Sequence, residues 1–222
     1  MRFENAKMPQ EENRRIRTSA FSFLASLACS VRRDIEAIRA KHTLASGTNA
    51  DITLVDSAHL RTAYQLAHNI ATELYFASGA YDDDQQGGDA TAPRQSLSTA
   101  ERKSRFLQEA ASLLQEMCTL DVVEAAYDVL KTLRFLVDVA PKQSLLLIAG
   151  VLRRSAADGI QYELLAADLA VEIIETYLSE HSPMLRSDAE AQSALLDALD
   201  VFVLVGWPSA TRLTYRLEDV FR

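Results

Sequence analysis

The chain has 222 residues, 48% hydrophobic and 24% charged, enough apolar material to bury a globular core and far from the composition of a disordered chain. Its 7 glycines and 5 prolines are too few for the many turns of an all-β fold, and suit long helices with short connections. The net charge of −8 is uneven: residues 1–50 carry nine Lys/Arg against five Asp/Glu, and residues 51–222 carry fourteen against twenty-six, so most of the chain repels phosphate backbones.

In chain order, residues 1–12 are polar. From Arg14 to Lys41 the positions Ala20, Leu24, Leu27, Val31, Ile35 and Ile38 step by three or four, which predicts one face of a long helix. Phe21 and Phe23 stand beside that stripe, more apolar surface than one partner helix would cover. A turn through Gly47 leads to a second helix over 56–77, with Leu60, Ala63, Ala67, Ile70 and Leu74 inside. Residues 79–97, with Asp82-Asp83-Asp84 and Gly87-Gly88, read as a mobile acidic, Gly-rich loop with no apolar area to offset chain entropy. That loop lacks the ligand alternation and closing Glu of an EF-hand. The expected division is an N-terminal helical hairpin over 1–78, the loop over 79–97, and a helical region over 98–222.

From Ser98 the helices follow closely. Ser98-Thr99-Ala100-Glu101 is a capping box opening a helix to Cys118. The next spans 121–140, with Val122, Ala126, Val129, Leu133 and Leu136 inside. Pro141 ends it and begins another, to Ala157. The helix over 161–180 shows two apolar stripes: Tyr162, Ala166, Leu169, Ile173 and Tyr177, then Ala167, Ala170, Ile174 and Leu178. Pro183 closes it. Ser187-Asp188-Ala189-Glu190 reads as a second capping box, for a helix to Val205. Gly206-Trp207-Pro208 breaks the chain before a last helix, whose Arg212, Arg216, Glu218 and Asp219 supply a polar outer face.

Helix starts at Asp121 and Gln161 lie 40 residues apart, and those at Lys142 and Ser187 lie 45 apart, the period of HEAT and armadillo repeats. Ser182-Pro183, then Arg186 and Ala189, resembles the turn into the second helix of a HEAT unit, without the Asp usual there. The fold expected is therefore all-α, with antiparallel helical hairpins stacked as a short HEAT-like α-solenoid. Gly159-Ile160-Gln161-Tyr162-Glu163 and Gly206-Trp207-Pro208 with Leu213-Thr214-Tyr215-Arg216-Leu217 resemble the helical tail of large bacterial multidomain proteins that carry a separate ATPase module. That resemblance, over residues 120–222, implies a tail standing alone or one piece of a split system.

Chemistry-bearing patterns are sparse. Arg61 and His68 share a helix face, and an Arg followed by six residues and a His resembles the motif of HEPN-type ribonucleases. In that resemblance Arg61 binds the scissile phosphate and His68 serves acid–base transfer without a metal. Asp168, Glu172 and Glu175 make an acidic stripe with no histidine in register for a metal. Cys29 and Cys118 are isolated thiols, suited neither to a zinc site nor to a disulfide framework. No phosphate-binding glycine loop, Gly-x-Ser-x-Gly or His-Glu-x-x-His occurs, so no cofactor and no enzymatic activity are expected.

Asn13-Arg14-Arg15-Ile16-Arg17 before an apolar run ending at Cys29 resembles an export leader. However, Ser26 stands where a lipobox wants Leu, and Arg32 and Arg33 follow at once. The expectation is a soluble cytoplasmic protein, with no apolar run near the length of a membrane span. Its partner is expected to be another protein or a second copy, docked through Phe21, Phe23, Arg14, Arg15, Arg32 and Arg33. The alternative of nucleic-acid binding by that basic arm lacks interleaved stacking aromatics.

Overall fold

In the computed structural model, residues 10–45, 54–85, 98–157, 164–207 and 212–213 are described, and every regular element among them is a helix. They are α1 (Gln10–Ala45), α2 (Leu54–Ser78), α3 (Ala80–Gln85), α4 (Thr99–Thr119), α5 (Val123–Leu136), α6 (Pro141–Ala157), α7 (Leu164–Glu180), α8 (Ser182–Ser187) and α9 (Ala189–Val205), with Arg212 and Leu213 helical beyond them.

Local chemistry explains most of the boundaries. At α4 the capping box is complete: Glu101 donates its backbone N–H to Ser98 Oγ at 3.2 Å, and Ser98 donates its own to Glu101 Oε2 at 2.8 Å. Pro141 opens α6, where its missing N–H costs nothing. At the end of α9, Gly206 takes the left-handed conformation with φ 74°. Its N–H donates to the Val203 carbonyl and that of Trp207 to the Phe202 carbonyl, both at 3.1 Å. The Trp207 ring lies 5.3 Å from that of Phe202, the apolar contact that accompanies this kind of helix end.

Four expectations are corrected. Residues 80–85 are helical rather than part of a loop beginning at 79, and Ala80 is buried; residues 86–97 lie outside the described residues. The residues after α7 form a separate short helix, α8, with Pro183 in its first turn. The cap of α9 is Asp188, not Ser187: Asp188 Oδ1 accepts from the N–H groups of Glu190 at 3.0 Å and Ala191 at 3.1 Å, while Ser187 ends α8 and turns its hydroxyl back to the Pro183 carbonyl. A carboxylate is the better acceptor at a helix N-terminus, because the helix dipole favours its charge. In α1 the buried face is Phe21, Ala25, Ala28, Val31 and Ile35, so its first half is rotated from the expected stripe, and Ala20, Leu24 and Leu27 are half-buried flanks.

The helices pack in two sequences of neighbours. One runs α1 on α4, α4 on α6 and α6 on α9; the other runs α2 on α5 and α5 on α7. Contacts of α1 with α2, α4 with α5 and α5 with α6 join the two rows. Buried residues from Phe21 to Leu213 belong to one continuous core, in which Phe106, Leu113, Leu130, Leu145, Ile148, Tyr177 and Phe202 are fully enclosed. Burial of Tyr177 pushes its phenol up, so it stays a donor, and its hydroxyl gives a 2.7 Å hydrogen bond to the Pro141 carbonyl that ties α7 to the start of α6. Burial likewise pushes the Cys118 thiol up, which leaves it a small inert core residue rather than a nucleophile.

Candidate interaction surface

The expected docking residues lie on α1, and the structure divides them. Phe21 is buried, 6% exposed, and meets the Phe106 ring edge-to-face at 5.7 Å, so it belongs to the core and not to a docking surface. Arg32 is also turned inward. It bonds Glu36 at 3.1 Å and reaches Glu116 on α4 at 3.5 Å, and the hydrogen bond to Glu36 leads the contacts that hold its guanidinium above the ordinary value. Phe23, 67% exposed, stands free of the core, and Arg14, Arg15 and Arg33 are exposed, Arg15 within 3.7 Å of Glu11 on its own helix.

The inner flanks of α1 are fixed by a line of ion pairs that the sequence does not announce. Arg17 Nε lies 3.0 Å from Glu109 Oε2, a carboxylate with its side chain only 3% exposed. Arg39 pairs with Asp121, donates to its carbonyl at 3.3 Å and to the Tyr64 hydroxyl at 3.2 Å. Burial works against the Arg39 charge, but the hydrogen bonds to Tyr64 and Asp121 outweigh it and raise its pKa. Lys41 and His42 converge on Asp56 at 2.8 and 3.3 Å. These contacts hold one side of the helix against α2 and α4 and leave the side bearing Phe23 facing out.

The remaining large exposed apolar residues are unevenly placed. Ile16 and Phe23 lie on α1, Val55 and Phe76 on α2, Tyr81 on α3, and Leu196, Val203 and Leu204 on α9; among the residues whose side chains are described, α4 to α8 contribute none. Phe76 and Tyr81 pack on each other at 4.9 Å, which shields part of both rings. Val203 and Leu204, 65% and 78% exposed, are not shielded in that way.

Arg61 and His68 both sit on α2. Arg61 is exposed. His68 is half-buried, with Nδ1 2.9 Å from the Glu124 backbone carbonyl. A carbonyl can only accept, so Nδ1 carries the proton and the ring is pinned to the start of α5. The two residues are separated by about 10 Å along the axis at 1.5 Å per residue. Asp168, Glu172 and Glu175 are all exposed, and Glu172 takes Arg134 at 3.1 Å. No group of three or more His, Cys, Asp or Glu suited to a metal ion occurs among the described residues.

A shallow cleft of about 260 Å³ opens between α3, α4, α5 and α7. Two of its three cations face carboxylates, Lys103 with Asp138 at 2.8 Å while lying over the Phe135 ring and Arg134 with Glu172, and Lys131 donates to the Tyr75 hydroxyl at 3.1 Å. No described helix is long and apolar enough to cross a membrane. Comparison with protein families, with curated proteins and with solved structures found no match.

Proposed function

We propose that the chain is a short stack of HEAT-like helical hairpins and works as a non-catalytic scaffold for protein–protein interaction, with α1 as its docking element. The observation that carries this reading is that, among the residues whose side chains are described, the exposed large apolar ones lie on α1–α3 and α9. A folded chain in water hides such groups where neighbours are available, and a patch left uncovered marks a contact surface. The neighbour pattern supports the stacked arrangement. α5 packs on α7 and α6 on α9, the pairs that the 40- and 45-residue spacings relate, and a repeat stack exposes broad surfaces that bind proteins.

The reading is tested with the tagged full chain in its native cell, by affinity capture and mass spectrometry, alongside Phe23→Asp and Phe76→Asp forms. A defined partner, or the chain itself, should be recovered, lost with Phe23→Asp and kept with Phe76→Asp. RNA cleavage by the purified chain that disappears in His68→Ala would overturn the non-catalytic reading.

A further inference from the structure

We infer that the arginine–carboxylate pairs joining α1 to the α4 side set the roll of α1 about its own axis, and so keep Phe23 outward. On apolar content alone α1 would sit differently. Its aliphatic residues Leu24, Leu27, Val31, Ile35 and Ile38 centre on one line of the helix. The buried residues Phe21, Ala25, Ala28, Val31 and Ile35 centre on another, about 60° away at about 100° of turn per residue. Leu24, Leu27 and Ile38 are only half-buried, while Ala25 and Ala28, with far less apolar surface to hide, are buried.

The paired arginines account for the difference. By the same turn per residue, Arg17, Arg32 and Arg39 fall within about 40° of the buried line, and about 40° to 100° from the aliphatic one. Their acids are Glu109 and Glu116 on α4 and Asp121 just beyond its end. Rolling α1 onto its aliphatic line would carry all three guanidinium groups away from those carboxylates. Glu109 makes that roll costly. Its side chain is 3% exposed, Arg17 Nε stands 3.0 Å from Oε2, and neither carboxylate oxygen accepts a hydrogen bond among the described residues. Taking such a pair out of water offsets most of its attraction, but a buried carboxylate that loses its cation is strongly destabilising. The pair therefore adds little net stability and penalises every setting that separates it, which makes Arg17 and Glu109 positioning residues. Phe23 and Cys29 register the setting. Phe23 is 67% exposed and Cys29 half-buried. A roll of about 60° would turn Phe23 toward the body and Cys29 into solvent. The weight given to Phe23 rests on α1 being the docking element; the roll itself is measured without a partner.

Thiol labelling of the full chain tests this. Cys118 is buried and inert, so labelling of the folded chain reports on Cys29. Arg17→Met combined with Glu109→Leu removes both charges. That form should melt no lower than the parent, and its Cys29 should label several-fold faster while Cys118 stays protected. Arg17→Met alone, which strands Glu109, should melt lowest of the set. Arg39→Gln, at a half-buried rung, should keep the fold and label Cys29 at an intermediate rate. A double variant that labels Cys29 at the parental rate overturns the inference. So does one that melts as far below the parent as Arg17→Met alone, because the pair would then be an ordinary stabilising contact. If the double variant does not fold, parental labelling of Arg39→Gln overturns it equally. Failure here is distinct from failure of the docking reading, which turns on loss of partner capture in Phe23→Asp.

Discussion

Helices α1 and α7 both carry apolar residues wider than a single stripe, and they meet different surroundings. In α7 one stripe of Ala166, Leu169, Ile173 and Tyr177 and a second of Ala167, Ala170, Ile174 and Leu178 are all buried. In α1 the face with Phe21, Ala25, Ala28, Val31 and Ile35 is buried while Ile16 and Phe23 stay in solvent. Apolar width along a helix therefore measures how many neighbours the helix is built to take. In α7 that demand is met within the chain; in α1 part of it is left over.

The comparison can be broken by substitution. Phe21→Ala should destabilise most, by about 3–5 kcal/mol, because it empties a ring-sized space against Phe106. Ile173→Ala should cost about 2–5 kcal/mol as a buried aliphatic truncation in α7. Thermal or denaturant melts that rank these two below surface changes would mean that the faces of α1 and α7 are misassigned.

A smaller effect sharpens the boundary of α9. The Lys142 ammonium, together with the N–H groups of Ala191 and Glu190, holds the Asp188 carboxyl below its ordinary range. A depressed folded pKa stabilises the fold above the unfolded value, and that contribution is lost as pH falls through the folded one. Asp188→Asn keeps an acceptor but not the charge, so its melting temperature should fall less steeply with acid than that of the parent. Ser187→Ala should leave the acid limb unchanged. The smallest changes are expected of Phe23→Ala and Glu172→Ala, each within about 0.5 kcal/mol, since both are exposed and the Arg134 pair is a surface one. A Phe23→Ala form that melts like Phe21→Ala would erase the distinction on which the docking face depends.

The interior helices were legible because their periodicity is redundant. In α5 and α7 the apolar residues repeat over several turns, and every described position expected inside is buried. In α1 the expected stripe favoured Leu24 and Leu27, whereas the structure centres on Ala25 and Ala28. Close helix approach needs small residues at the contact line, a demand that apolar counting does not weigh. The helices α3 and α8 were missed because six residues are too few to show a period. The α9 cap is one residue beyond the expected Ser187 because Ser187 with Glu190 fits the box spacing, whereas Asp188, with Ala191 three residues on, caps through its own carboxylate alone. The Arg39–Asp121–Tyr64 cluster joins residues 82 positions apart, and nothing in a local window signals it. Within the candidate surface, Phe23 and the exposed arginines could be found from the surplus apolar width. The inward turn of Phe21 and Arg32 depended on Phe106 and Glu116 of α4.

The end of α9 has a practical consequence for watching this molecule unfold. Trp207 is the chain's single tryptophan, and it rests on Phe202 just beyond the left-handed Gly206. Its emission therefore reports on one end of one row, while far-ultraviolet dichroism averages over every helix. If the row unravels from that end, the emission maximum shifts to the red before ellipticity is lost; if the core yields all at once, the two curves superimpose. A native residue thus serves as a built-in gauge of cooperativity, with no label attached.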